Sequence, residues 1–333
     1  VDPAMLVERG TPLVLRGLCA HWPMVQAARR SDTEFAKLLA AHDSGAAVDT
    51  LLMPPEANGL VGYDAALEGF NYQHFKVSVT DVLTRLAQYS RREGPVHGVA
   101  LQSAPIAGCL PGLLADHAIE GLPAAIAPRL WLGNRVTTPA HFDAFHNIAV
   151  VVCGRRRFSV FAPEQVRNLY IGPLDFAPTG AAISLADLDD DTTQFPRLAQ
   201  AREHAFVAEL APGDALYLPP LWWHHVASLE RLNALVNFWW QPILADGRAP
   251  SPGIVALLHA RLAFAGLPTH ERQAWRALLE HYVFGEEDPA AHIPEARRGV
   301  LGALDAQALA ALRQRIANSV SYTHLTLPTI YSV

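Results

Sequence analysis

A chain of 333 residues, half of it apolar and 17% charged, has the profile of a globular protein with room for one large domain or for two sharing an interface. Its 26 basic and 32 acidic side chains leave a net charge of −6, which advertises no nucleic-acid-binding surface. The three cysteines, Cys19, Cys109 and Cys153, are odd in number and widely spaced, which argues against a disulfide framework and fits a reducing, cytoplasmic compartment.

The chain starts at Val1 rather than Met, so its native beginning is expected to be missing; the start lacks the layout of a signal peptide. No run approaches the roughly 18 uninterrupted apolar residues of a membrane span. Residues 1–95 read as an α/β lead-in. Pro12-Leu-Val-Leu15 has strand character, and Ser78 with Asp81 three residues on opens a helix carrying Val82, Leu83 and Leu86. Over residues 96–245 the texture changes to short β-rich runs divided by Gly, Pro and Asp, at 129–132, 147–152, 157–161, 215–218 and 234–239. That spacing predicts an antiparallel barrel or sandwich. The acidic run 187–191 reads as a solvated loop.

Residues 246–319 turn helical. Ile254, Leu257, Leu258 and Leu262 recur at helix spacing behind Ser251-Pro252, Trp275, Leu278, Leu279 and Tyr282 repeat the pattern before Gly285, and Asp305 caps a last helix carrying Leu309, Leu312 and Ile316. Each stripe needs an apolar partner, from this chain or from a second copy of it. From Ser321 onward the sequence resembles the translation of a sequencing-library adapter, so residues 320–333 are read as a non-native tail and His324 is set aside.

His141-Phe-Asp143 places an imidazole and a carboxylate two residues apart, and on a strand the side-chain period of two turns both to one face. With 15 His and 32 acids in the chain, about one or two such pairs arise by chance, so context must decide. It comes some eighty residues later in Gly213-Asp-Ala-Leu-Tyr-Leu-Pro-Pro-Leu-Trp-Trp-His224-His225, where a turn launches an apolar strand ending in two histidines. Two histidines and one carboxylate on one side of a metal leave three octahedral positions open, as in non-heme Fe(II) oxygenases. A closed structural zinc site would draw on clustered cysteines, and these are scattered. His74, His97 and His146 read as ordinary polar or packed histidines.

The segments Thr137-Thr-Pro-Ala-His-Phe-Asp143 and Leu218-Pro-Pro-Leu-Trp-Trp-His-His225 resemble the cupin-like JmjC dioxygenases, a family that includes bacterial cupin-like proteins and the asparaginyl hydroxylase of hypoxia-inducible factor. The resemblance runs from about Leu13 to Trp240. It implies a mainly β fold with α additions, a double-stranded β-helix (jelly-roll, cupin) barrel, with His141, Asp143 and His224 as catalytic metal ligands. It also implies Fe(II), 2-oxoglutarate as cosubstrate, O₂, and hydroxylation or oxidative demethylation of a protein side chain or small molecule. The family pattern puts the third ligand at His224 and leaves His225 off the metal. It assigns cosubstrate binding to Thr138, Asn147, Arg156, Asn237 and Trp239, with Arg156 where the family usually has lysine and Ala100 where a tyrosine often stands. Arginine can grip a carboxylate through two parallel hydrogen bonds, so that departure alters geometry and keeps the charge. A homodimer through the C-terminal helices is implied as well. Two other readings stay open: a metal-dependent cupin enzyme that does not use 2-oxoglutarate, and a non-catalytic binding module. The loops 53–72 and 170–200 are expected to shape the mouth of the site.

Overall fold

The structure, a computed structural model, describes residues 1–188, 193–241 and 253–322. The end of the acidic run, the Ser251-Pro252 helix start and most of the C-terminal tail lie outside these residues. The described residues contain β1 (Leu13–Leu15), β2 (Val48–Met53), β3 (Gln73–Val77), β4 (Gly98–Pro105), β5 (Arg129–Gly133), β6 (Thr137–His141), β7 (His146–Cys153), β8 (Arg156–Phe161), β9 (Phe206–Leu210), β10 (Ala215–Leu218), β11 (Trp223–Ser228) and β12 (Asn233–Trp240). One sheet runs β1-β10-β7-β12-β5-β4-β2-β3 and the other β6-β11-β8-β9, with antiparallel pairing in both. From β5 to β12 the chain passes repeatedly between the sheets, which is a jelly-roll course.

Strand β7 shows why its sequence is apolar almost without interruption. Ile148, Val150 and Val152 join the core between the larger sheet and the helices, whereas Ala149 and Val151 join the core between the two sheets. A strand covered on both faces cannot alternate apolar with polar. Burial of such side chains contributes about 1.5–3 kcal/mol each for valine, leucine or phenylalanine.

Four helices precede the barrel proper: α1 (Pro3–Arg9), α2 (Pro23–Arg30), α3 (Asp32–His42) and α4 (Val79–Ser90). Helix α2 packs on β7 and α3 on α4, so together they cover the outer face of the larger sheet. Helix α4 begins with a reciprocal capping box, in which the Ser78 side chain accepts from the Asp81 backbone and Asp81 accepts from Ser78. The lead-in is woven into the same sheet, because β1 pairs with β10 and β2 with β4.

Two compact units divide at Pro242 and Ile243. The second contains helices Gly253–Phe264, Thr269–Leu279 and Ala306–Tyr322, and Asp305 caps the last by accepting from Ala308 N at 2.7 Å. Leu257, Leu258, Leu262, Leu278 and Ile316 are exposed on these helices, and Tyr282 is exposed in the helical turn Glu280–Phe284 that follows the second. Among the described residues no helix is long and apolar enough to cross a membrane.

Candidate metal centre

Strand β6 is not regular, and its irregularity builds the site. Against β11 the register pairs His224 with His141 but Val226 with Thr138, so two residues of β6, Pro139 and Ala140, stand opposite the single residue His225. Such a bulge lets Thr138 and His141, three positions apart, face the same way. Proline at this point withholds an N–H that a regular ladder would use. Ala140 is turned instead to the outer cluster with Phe161 and Trp223.

The expectation that His141 and Asp143 share one strand is corrected here: β6 ends at His141, and Asp143 lies in the connection to β7. The alternation still holds locally, because Phe142 turns outward to meet Trp223 edge-on at 5.0 Å. The backbone of Asp143 is anchored by Leu221 N, which donates to its carbonyl at 2.9 Å. Leu221 sits at φ 66, in a turn that Trp222 N closes on Pro219 O, the left-handed position of a type II turn with Pro220 before it.

His141, Asp143 and His224 offer ligand atoms that all lie within 4.8 Å of one another. The imidazole centroids are 4.2 Å apart, and His224 Nε2 is 3.7 Å from Asp143 Oδ2. His141 Nδ1 lies 2.8 Å from Pro139 O, and His224 Nδ1 lies 3.0 Å from Trp222 O. A carbonyl can only accept, so each ring carries a proton on Nδ1, which leaves Nε2 as the ring atom available for a metal. Burial and the adjacent His224 ring push the pKa of His141 down, which keeps it neutral.

Asp143 is held from the other sheet. Trp239 Nε1 donates to its Oδ2 at 3.1 Å and Asn147 Nδ2 at 3.3 Å, while Asn237 Nδ2 donates to Asn147 Oδ1 at 2.6 Å. Three residues that the family resemblance assigns to the cosubstrate thus form a relay that orients the carboxylate. His225 points to the opposite face, where its Nε2 lies 3.1 Å from Asp187 Oδ1. His146 lies beyond the larger sheet, 2.8 Å from Tyr217 Oη and stacked on Trp240. His74 is exposed beside Asp49, and His97 stacks on Tyr89.

Arg156 and Thr138 line a small cavity of about 30 Å3 with Trp131, Ala100, Gln102 and Ser228. Arg156 opposes Ser228 and Val160 opposes His224, so the arginine starts four residues, roughly 13 Å of strand, along the same inward face from the triad. The turn before it needs Gly154 at φ 69, where any side chain would meet the Leu232 carbonyl. Only 8% of Arg156 is exposed, its Nε has no hydrogen-bond partner, and no carboxylate pairs with it among the described residues. Burial lowers its pKa to about 10, which still leaves it charged at neutral pH. Trp131 Nε1, lining the same cavity, is likewise buried without a partner. Sequence reading passed over Trp131 as one apolar residue of a strand; its indole N–H was the only signal, and its direction belongs to the tertiary structure.

Both expected mouth loops dock on the free edge of β6. Val61 N donates to Thr137 O at 3.0 Å, and Ser184 N to Ala140 O at 2.8 Å. Tyr63, Phe70, Tyr72 and Phe176 stack between the loops, with Phe70 and Phe176 centroids 4.9 Å apart.

A two-sheet barrel that brings two histidines and a carboxylate together beside one strand edge has a cupin-type architecture with a cluster able to hold a metal ion. The comparison with known families agrees: the cupin-like domain matches over residues 2–246, and the chain belongs to that family. Jumonji C domain-containing protein 5 of Drosophila melanogaster is 29% identical over 70% of this chain and 55% of its own length. Lysine-specific demethylase JMJ30 of Arabidopsis thaliana is 25% identical over 69% of this chain and 50% of its own. Human HSPB1-associated protein 1 is 31% identical over 33% of this chain and 22% of its own. The chain therefore spans about half the length of the first two relatives, and less of the third. The X-ray structure of E. coli ycfD aligns with 96% of this chain and 68% of its own at 16% identity, with a TM-score of 0.43.

Proposed function

We propose that this chain is an Fe(II)- and 2-oxoglutarate-dependent dioxygenase that hydroxylates, or by hydroxylation demethylates, a protein side chain or a small molecule. The donor set suits ferrous iron: two imidazoles and one carboxylate, with half the coordination sphere left to exogenous ligands. Bound there, iron would supply oxygen activation coupled to conversion of 2-oxoglutarate into succinate and CO₂.

The observation that carries the cosubstrate reading is Arg156. A buried cation without a counter-ion is costly, and the cost is removed when an anion enters. The far carboxylate of a five-carbon diacid, gripped by Arg156, Thr138 and the Trp131 indole N–H, would leave the oxoacid end directed along the strand face toward His224. The small size of the cavity suits a carboxylate end, since it has room for one or two water-sized groups. Trp239 and Asn147 would hold Asp143 in its liganding position while the barrel walls exclude water. Ala100 supplies no hydroxyl to this pocket, and the Trp131 N–H takes that share of the anion.

Two subsidiary readings accompany this one. The exposed apolar side chains of the C-terminal helices suit a homodimer, which light scattering of the full chain measures. The three cysteines are buried and unpaired, as suits a cytoplasmic enzyme. The function itself is tested by succinate release: it should require both Fe(II) and 2-oxoglutarate, and iron-loaded protein that does not bind 2-oxoglutarate under anaerobic titration defeats the proposal.

A further inference from the structure

The end of the barrel remote from the metal ligands carries a second cavity that the dioxygenase reading leaves unused. His141 closes β6 and His224 lies near the start of β11, whereas Arg135 precedes β6 and Arg231 follows β11, so these arginines stand at the opposite end. There a cleft of about 740 Å3 opens between the end of α4, the segment leading into β4, and the β5–β6 and β11–β12 turns. Its charged lining is Arg91, Arg92, Arg135 and Arg231 against one carboxylate, Glu93.

This composition runs against the chain, in which acids exceed bases 32 to 26. Arg16, Arg155, Arg157 and Arg298 pair with carboxylates, yet no ion pair to any of the four cleft arginines occurs among the described residues. Two of them are already held in place. Arg231 Nη1 donates to Ser90 O at 2.9 Å, and the Arg92 guanidinium lies 5.3 Å from the Tyr89 ring centroid. Like charges gathered from three separate segments repel one another, and a concave wall of low dielectric focuses their potential on whatever enters. The guanidinium fork matches phosphate oxygens in geometry as well as charge.

We propose that this cleft binds a small anion carrying two or more phosphate groups. Its volume falls within the range of small-ligand sites, about 300–1,000 Å3. A polynucleotide fits less well. Tyr89, the aromatic ring of the lining, is stacked on His97 at 5.9 Å and covered by Arg92, so it offers no ready platform for a base. The ligand is therefore recognised by its phosphates.

Calorimetric titration of the full chain with inorganic pyrophosphate tests the site at two ionic strengths. The expected result is saturable binding with one site per chain, weaker at the higher salt, and at least tenfold weaker in the double variant Arg91→Gln/Arg135→Gln. Both side chains are exposed and make no hydrogen bond in the described structure, so the double variant should match the parent in its circular dichroism and melting temperature. Arg155→Gln, an arginine paired elsewhere, should leave binding unchanged. Binding should also persist within twofold in Arg156→Gln and His224→Ala, which separates this cleft from the proposed cosubstrate pocket and metal site, so that either proposal can fail alone. The inference is overturned by absence of saturable binding up to millimolar pyrophosphate, by an unchanged affinity in the double variant, or by loss in Arg156→Gln or His224→Ala instead. Tighter binding of a single-stranded RNA oligomer than of pyrophosphate overturns it equally.

Discussion

Replacing Arg156 with methionine should move two measurements in opposite directions. The side chain is a cation, 8% exposed, with an unpartnered Nε and no ion pair among the described residues, so the folded chain carries the penalty of its desolvation with no compensating attraction. An unbranched apolar side chain of similar length removes that penalty, and exchanges of buried charge for apolar volume stabilise by about 1–4 kcal/mol. In a domain of this size, roughly 2–4 °C per kcal/mol follows, so the melting temperature of cosubstrate-free Arg156→Met should rise by about 2–16 °C. The same change removes the charged partner of the diacid. Two hydrogen bonds to a carboxylate, at about 1.5–3 kcal/mol each, amount to a hundredfold loss of 2-oxoglutarate affinity or more. Differential scanning fluorimetry reads the first effect and anaerobic titration of the metal-loaded protein the second. A variant that binds 2-oxoglutarate within threefold of the parent, or that melts lower without it, refutes the assignment of Arg156 as an anion receptor awaiting its ligand.

Three further outcomes follow from the site and its surroundings. His224→Ala and Asp143→Ala should lose stoichiometric iron by metal analysis, whereas His225→Ala, which meets Asp187 on the far face, should retain it; the reverse pattern would move the ligand. Trp239→Phe removes one donor from Asp143 Oδ2 and leaves Asn147 in place, so iron affinity should fall about 10–100-fold with the fold intact, and an unchanged metal dissociation constant would deny the indole its orienting role. His117 is fully buried, with Nδ1 2.6 Å from Leu113 O and Nε2 accepting from Met24 N at 3.3 Å, and burial depresses its pKa. The unfolded chain therefore takes up this proton first. Its contribution is whole above the unfolded value of about 6.5 and declines as pH falls below it, by at most about 1.4 kcal/mol per pH unit. Urea midpoints between pH 8 and 5.5 should fall less steeply in His117→Gln, and parallel curves would show that His117 does not govern that range.

How far the sequence reached can be read from particular residues. Strands β5, β7, β8, β10 and β12 announce themselves by apolar runs between turn residues, because local chain geometry and two-sided burial act on contiguous residues. The Ser78–Asp81 capping box and the Asp305 cap are equally local, each spanning one turn of helix. The candidate ligand types were legible too, since an imidazole and a carboxylate two positions apart mean something chemically before any fold is known.

What the sequence could not decide is everything that depends on which distant residues share a space. The bulge at Pro139-Ala140 shifts the face of His141 relative to Thr138, and it exists only against β11. Trp239 and Asn147 read as pocket lining, yet the side chains of two neighbouring strands in the larger sheet converge on Asp143 across the barrel. Trp131 and Arg156 come to line one cavity, and four arginines another, because the fold sets them around shared voids. Local sequence fixes backbone propensity and side-chain chemistry, whose interactions act within a few residues. Direction, burial and partnership arise between segments scores of residues apart, and the packing of the two sheets alone brings those together.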